Sequence, residues 1–283
     1  MSLRTSPLYR ADVWLLQTPP HSLAPVTPYL DLLSKAEQEA AQRILITSEK
    51  NLFIRSKAFL RMLLCARTHV APDQWRFGCN AFGRPFVESP LAYSHLHFNV
   101  SHTKGLTACV ISELVEIGID VENVAQERDF LAMARGFFAH SESERLAATP
   151  EADLSRNFYA YWTLKEAYVK AKGMGLSIPL SSMSFDLSDA SGIAFHAEAE
   201  AHPDGWRFLS TPVADEAMLA LAIGIDADTE VEIAMHRVAP EFLGGLNVES
   251  SYTCALRLIR SRSCVSTRPG PTSMNSVSPR SSK

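Results

Sequence analysis

The chain has 283 residues, 46% hydrophobic and 20% charged, which suits one large soluble domain or two modest ones. Six of its 27 basic residues and none of its 31 acids lie from residue 250 onward, so the preceding 249 residues are distinctly acidic. That balance excludes a generic nucleic-acid-binding surface. The five cysteines have no CxxC or other metal spacing, which fits reduced thiols in the cytoplasm. WLL at 14–16 is too short for a secretory segment, and no apolar run is long enough to span a bilayer.

In chain order, Ala36–Ile46 and Glu49–Arg67 read as helices. In the second, Leu52, Phe53, Ser56, Phe59, Leu60, Leu63 and Leu64 form an inward stripe, with Arg55, Lys57 and Arg61 largely off it. Short strands are expected at Trp75–Phe77, Pro85–Val87, His97–Val100, Thr107–Ile111 and Glu116–Val121, with Gly78 and Gly83 at turns. Phe130–Phe138 and Ser141–Ala148 suit helices, and Asp153–Ala171 a longer one stopped by Gly173 and Gly175. Strands return at Met183–Leu187, Trp206–Thr211, Ala217–Ile225 and Glu230–Val238. The Ser/Pro-rich end from Gly270 suits a disordered tail, and the change in composition begins near Gly244. This order predicts two similar halves of helices followed by strands, meeting near residue 120, although no sequence repeat beyond IGID is visible.

IGID occurs at 117–120 and at 223–226, each copy followed two residues on by a second acid, Glu122 or Asp228. Acids at that spacing on a strand share a face. The copy at Asp226 reads as a polar hairpin turn. The copy at Asp120 is followed by the helix YAYWTLKEAYVKAKGMG, where Trp162, Glu166 and Lys170 fall on one face at steps of four. A tryptophan there calls for a wall to lie on rather than open solvent. Before it, HFNVSHTKG sets Asn99, Ser101 and His102 at a strand end leading into a Gly-containing turn, a place for an anion. Arg84, between Gly83 and Pro85, is presented by a fixed turn. His95 and His97 form an HxH pair with no third zinc ligand at a recognisable spacing, and neither GxxxxGK[ST] nor GxGxxG is present.

In order, FGRP, FNVSH, GIDVE (118–122), FFAHSE (137–142) and WTLKEAYVKAKGMGL resemble the 4′-phosphopantetheinyl transferases, specifically the larger, surfactin-synthetase-activating type. The resemblance implies a pseudo-dimeric α+β fold, two similar α/β halves with the active site between them. The corresponding division is a coenzyme-A-binding half at 1–118, a metal and catalytic half at 119–243 and a disordered tail at 244–283. It implies transfer of 4′-phosphopantetheine from coenzyme A to a serine of an acyl or peptidyl carrier protein, with Mg²⁺, by a cytoplasmic monomer needing neither nucleic acid nor membrane. Asp120, Glu122 and Glu166 would hold the metal, and Glu166 and Lys170 would be catalytic. Lys170 and His102 would lie against the phosphates, with Asn99 and Ser101 of the same segment also on the coenzyme A side, Arg84 against the nucleotide, and Arg55 and Lys57 on the 3′-phosphate side. Glu142 and Lys165 belong to the pattern with roles left open. Arg84 departs from the lysine of many relatives. The acids alone also admit a metal-dependent phosphohydrolase, or a non-catalytic module that binds coenzyme A or a carrier.

Overall fold

The computed structural model describes residues 8–18, 26–188, 192–214, 216–225, 229–240, 246 and 248–254. A first half runs β1 (Leu8–Gln17), α1 (Thr27–Leu30), α2 (Lys35–Arg43), α3 (Thr47–Thr68), the hairpin β2 (Arg76–Cys79) and β3 (Pro85–Ser89), then β4 (His97–Thr103) and β5 (Leu106–Ser112). A second half repeats the order: β6 (Glu116–Asn123), α4 (Phe130–Phe137), α5 (His140–Ala147), α6 (Glu151–Lys172), the hairpin β7 (Met183–Asp186) and β8 (Ala194–Ala197), then β9 (Trp206–Ala214) and β10 (Ala217–Gly224). Within the halves the strand orders β1-β5-β4 and β6-β10-β9 are the same, each built from antiparallel neighbours. β11 (Glu230–Val238) then crosses back to lie parallel to β1, and β12 (Val248–Cys254) pairs with β11.

Strand alternation sorts side chains into layers. Ala108 and Val110 of β5, Ile119 and Val121 of β6, and Leu219 and Leu221 of β10 meet in a core between the two sheets. Cys109 and Ile111 face the other way, into a core with Phe59, Leu63 and Leu64 of α3. On the opposite side Met218, Ala220 and Ala222 pack with Phe158, Tyr161, Leu164 and Tyr168 of α6. The result is helix, sheet, sheet, helix. Gly118 is required by this stacking: a Cβ there would stand 2.1 Å from the Ala167 carbonyl oxygen of α6.

Three expectations need correction. The segment 244–283 is not a tail throughout, since β12 extends the first sheet as its edge strand; the rest of the basic segment, from 255, lies outside the described residues. The junction of the repeat falls before Glu116, so a boundary at 118/119 would cut β6. Arg55 and Arg61 are buried, not off the inward face. Arg61 is only 1% exposed; its guanidinium donates to Glu37 at 2.7 Å and to the carbonyls of Pro72 and Trp75, so its charge is compensated in place. The central strand β1 had no counterpart among the expected elements.

Candidate active site

The strand alternation that sends Ile119 and Val121 into the inter-sheet core turns Asp120 and Glu122 towards α6. On α6 the four-residue step aligns Trp162, Glu166 and Lys170, and these three face the two acids across an open cleft completed by Val100, Ser101 and His102 of β4. Trp162 forms a wall, stacked on Phe158 with ring centroids 5.8 Å apart and edge-on to Phe137 at 6.2 Å. The next residue after Lys165 thus opens to the cleft while Lys165 turns inward.

Asp120 is the centre of the cluster, 3% exposed. Its Oδ1 accepts from Lys170 Nζ at 2.6 Å and from Ser101 Oγ at 2.8 Å. Its Oδ2 is buried with no hydrogen-bond partner among the described residues. Burial, then the charge of Asp120, pushes the Glu122 carboxyl up to about 7. The same two causes raise Glu166, with Lys170 opposing. Glu122 and Glu166 therefore each face the charge of Asp120, with the Lys170 ammonium beside it, an arrangement whose repulsion a small cation would relieve. Among the described residues no three His, Cys, Asp or Glu side chains form a metal ligand set by themselves. The donors fit Mg²⁺, which keeps waters and takes one or two carboxylates together with substrate phosphates. An orphaned buried carboxylate oxygen is the observation that favours a cation there.

The remaining candidates separate. His102 lies at the exposed rim of the cleft, its imidazole held below the ordinary value by desolvation of its inner side and then by Lys170 and Lys57. Lys57 is thus within electrostatic reach of the cleft, its Nζ 5.6 Å from the Phe53 ring centre. Asn99 is turned from the cleft: its Oδ1 accepts the Ile119 N–H at 2.9 Å. Arg55, 4% exposed, lies over the Tyr29 ring and does not line the cleft. Arg84 does not line it either; its guanidinium donates to the carbonyls of Ala171 at 2.6 Å and Val115 at 2.7 Å, tying the β2–β3 turn to the end of α6. Asp226 and Asp228 lie outside the described residues.

Glu142 and Lys165 are a fully buried ion pair at 2.7 Å. Lys165 also donates to the carbonyls of Leu180 and Met183, and Glu142 accepts the N–H groups of Ala139 and Phe185. Every charge there is answered, so this pair holds α5, α6 and β7 together rather than meeting a ligand. Thr103, which the motif reading passed over, stands with its Oγ1 3.5 Å from Glu122 Oε2.

The 4′-phosphopantetheinyl transferase superfamily model matches residues 116–232, the stretch that carries both acids and α6. The 4′-phosphopantetheinyl transferase HetI of Nostoc sp. is 34% identical over 51% of this chain and 61% of its own length. A candidate 4′-phosphopantetheinyl transferase of Synechocystis sp. is 30% identical over 60% of this chain and 68% of its own. The chain belongs to the 4′-phosphopantetheinyl transferase superfamily. Within it the chain is of the Sfp type: the 4′-phosphopantetheinyl transferase Sfp of Bacillus subtilis is 26% identical over 56% of this chain and 68% of its own. The match to the first of these spans about three-fifths of that relative.

Proposed function

We propose that this chain transfers the 4′-phosphopantetheine moiety of coenzyme A to a serine hydroxyl of an acyl or peptidyl carrier protein, releasing adenosine 3′,5′-bisphosphate. The observation that carries the reading is the buried, unpartnered Asp120 Oδ2 beside Glu122 and Glu166, opposite Lys170. Asp120, Glu122 and Glu166 would hold Mg²⁺, which supplies charge neutralisation for the pyrophosphate when bound. Lys170 and His102 bind the phosphates, and Lys57 adds positive charge on the same rim. Trp162 and the aromatic residues behind it exclude water from one side of the cleft. The carrier serine oxygen attacks the β-phosphorus, the bond from that phosphorus to the bridging oxygen breaks, and the bisphosphate leaves with the electron pair. Glu166, on the face of α6 opposite Asp120, takes the serine proton. The enzyme works as a single-chain pseudo-dimer in the cytoplasm; among the described residues no helix is long and apolar enough to cross a membrane.

Incubating the chain with coenzyme A, Mg²⁺ and a panel of apo carrier proteins should add the mass of one phosphopantetheine to at least one carrier. Asp120→Ala should lower the rate about a hundredfold or more, while Asp226→Ala leaves it intact. No mass gain on any carrier, or phosphate release without a carrier, would overturn the assignment in favour of a binding module or a phosphohydrolase.

A further inference from the structure

The two sheets meet where β4 runs beside β6, and side chains take the place of backbone pairing along this seam. At alternate positions of β4, Asn99 Oδ1, Ser101 Oγ and Thr103 Oγ1 accept the N–H groups of Ile119, Val121 and Asn123, at 2.9, 3.3 and 3.2 Å. Each acceptor serves the residue twenty places further on. The two hydroxyls have a proton left to donate, and each turns it towards the acid one residue earlier on β6. Ser101 donates to Asp120 Oδ1 at 2.8 Å, and Thr103 Oγ1 stands 3.5 Å from Glu122 Oε2. At Asn99 the corresponding β6 residue is Gly118, which has no side chain to aim. Thr103 is 6% exposed, so it holds this place as part of the packed seam and not as a surface group.

We propose that Thr103 is a positioning residue of the transferase, aiming the Glu122 carboxylate into the cleft as Ser101 aims Asp120, so that the strand seam between the halves also sets the metal-binding acids. The inference rests on the proposed role of Glu122. A hydroxyl that fixes a carboxylate by one bond while its backbone contact fixes the hydroxyl acts as an outer partner to a ligand. Loss of such a partner commonly lowers metal affinity by about 10- to 100-fold. The 3.5 Å separation is long for a hydroxyl–carboxylate bond, which places the effect at the lower end of that range.

The test compares Thr103→Val with Thr103→Ser in the full chain. Mn²⁺ binding in the presence of coenzyme A is read by electron paramagnetic resonance, and thermal unfolding is measured alongside. Thr103→Val should weaken Mn²⁺ about tenfold, Thr103→Ser should restore wild-type affinity, and in a Glu122→Gln background Thr103→Val should have no further effect. If Thr103→Val lowers the melting temperature but leaves Mn²⁺ affinity unchanged, Thr103 is structural only and the proposal falls. Should Thr103→Val not fold, the serine variant and Thr103→Ala carry the same comparison. If Asp120→Ala and Glu122→Gln themselves leave Mn²⁺ binding untouched, the site assignment fails first, a result distinct from silence at Thr103 alone.

Discussion

The two halves share a frame down to individual contacts, yet only one carries the acids. α3 and α6 both run 22 residues and both stop on a left-handed residue, His69 at φ 62° and Gly173 at φ 65°. Counted along them, Arg61 corresponds to Lys165. Each is a buried cation that meets a glutamate opening the preceding helix, Glu37 or Glu142, and two carbonyls of the segment that follows. Phe77 lies edge-on to Phe98 as Phe185 does to Phe208. At the positions of Trp162, Glu166 and Lys170, however, α3 has Ala58, Met62 and Ala66. The repeated frame supplies support, and a handful of side chains on one copy supplies the candidate chemistry.

Breaking the shared buried pair should give the largest effect. Lys165→Met leaves Glu142 charged and fully enclosed, at a cost of about 3–5 kcal/mol, read by denaturant unfolding. Arg61→Met should cost less, because Glu37 keeps 14% of its side chain in contact with solvent. The double change Glu142→Gln with Lys165→Met should recover much of the loss. Equal costs in the two halves would mean that burial does not distinguish them.

A smaller, pH-dependent difference separates Glu122 from the first half. Its folded value, about 7, lies above the ordinary 4.5. Its stabilising contribution is therefore complete below about 4.5 and lost as pH rises through about 7. The melting temperature of metal-free protein should fall across that window, and Glu122→Gln should flatten the fall. An unchanged profile in the variant would assign the dependence to other groups. The smallest effect belongs to Asp12, the acid on β1, which bonds Arg10 at 2.7 Å and Arg67 at 2.9 Å. Asp12→Asn should cost about 1 kcal/mol without changing the transfer rate; a large rate loss would make the first half more than support.

The long helices and most strands were legible from helix step and strand period, which also put Asp120 with Glu122 on one strand face and Glu166 with Lys170 on one helix face; only the family resemblance joined the two pairs. β1 escaped because its middle, residues 11–16 between β5 and β11, packs on both faces and so does not alternate polar with apolar. β8 and β12 are short or polar edge strands, set by their partners. A charge on a helix carries no mark of whether it is solvated or answered inside, which is why Arg55 and Arg61 read as off the buried face, and why Lys165 and Glu142 could not be told from ligands. The sequence by itself determined which residue types share a face and in what order they come. Only the tertiary structure decided that Arg84 and Asn99 hold backbone groups, that Thr103 lies beside Glu122, and that one of two equivalent helices faces the acids. Those are contacts between residues 19 to 87 positions apart, and the energy that selects them is a property of the packed pair and of neither segment alone.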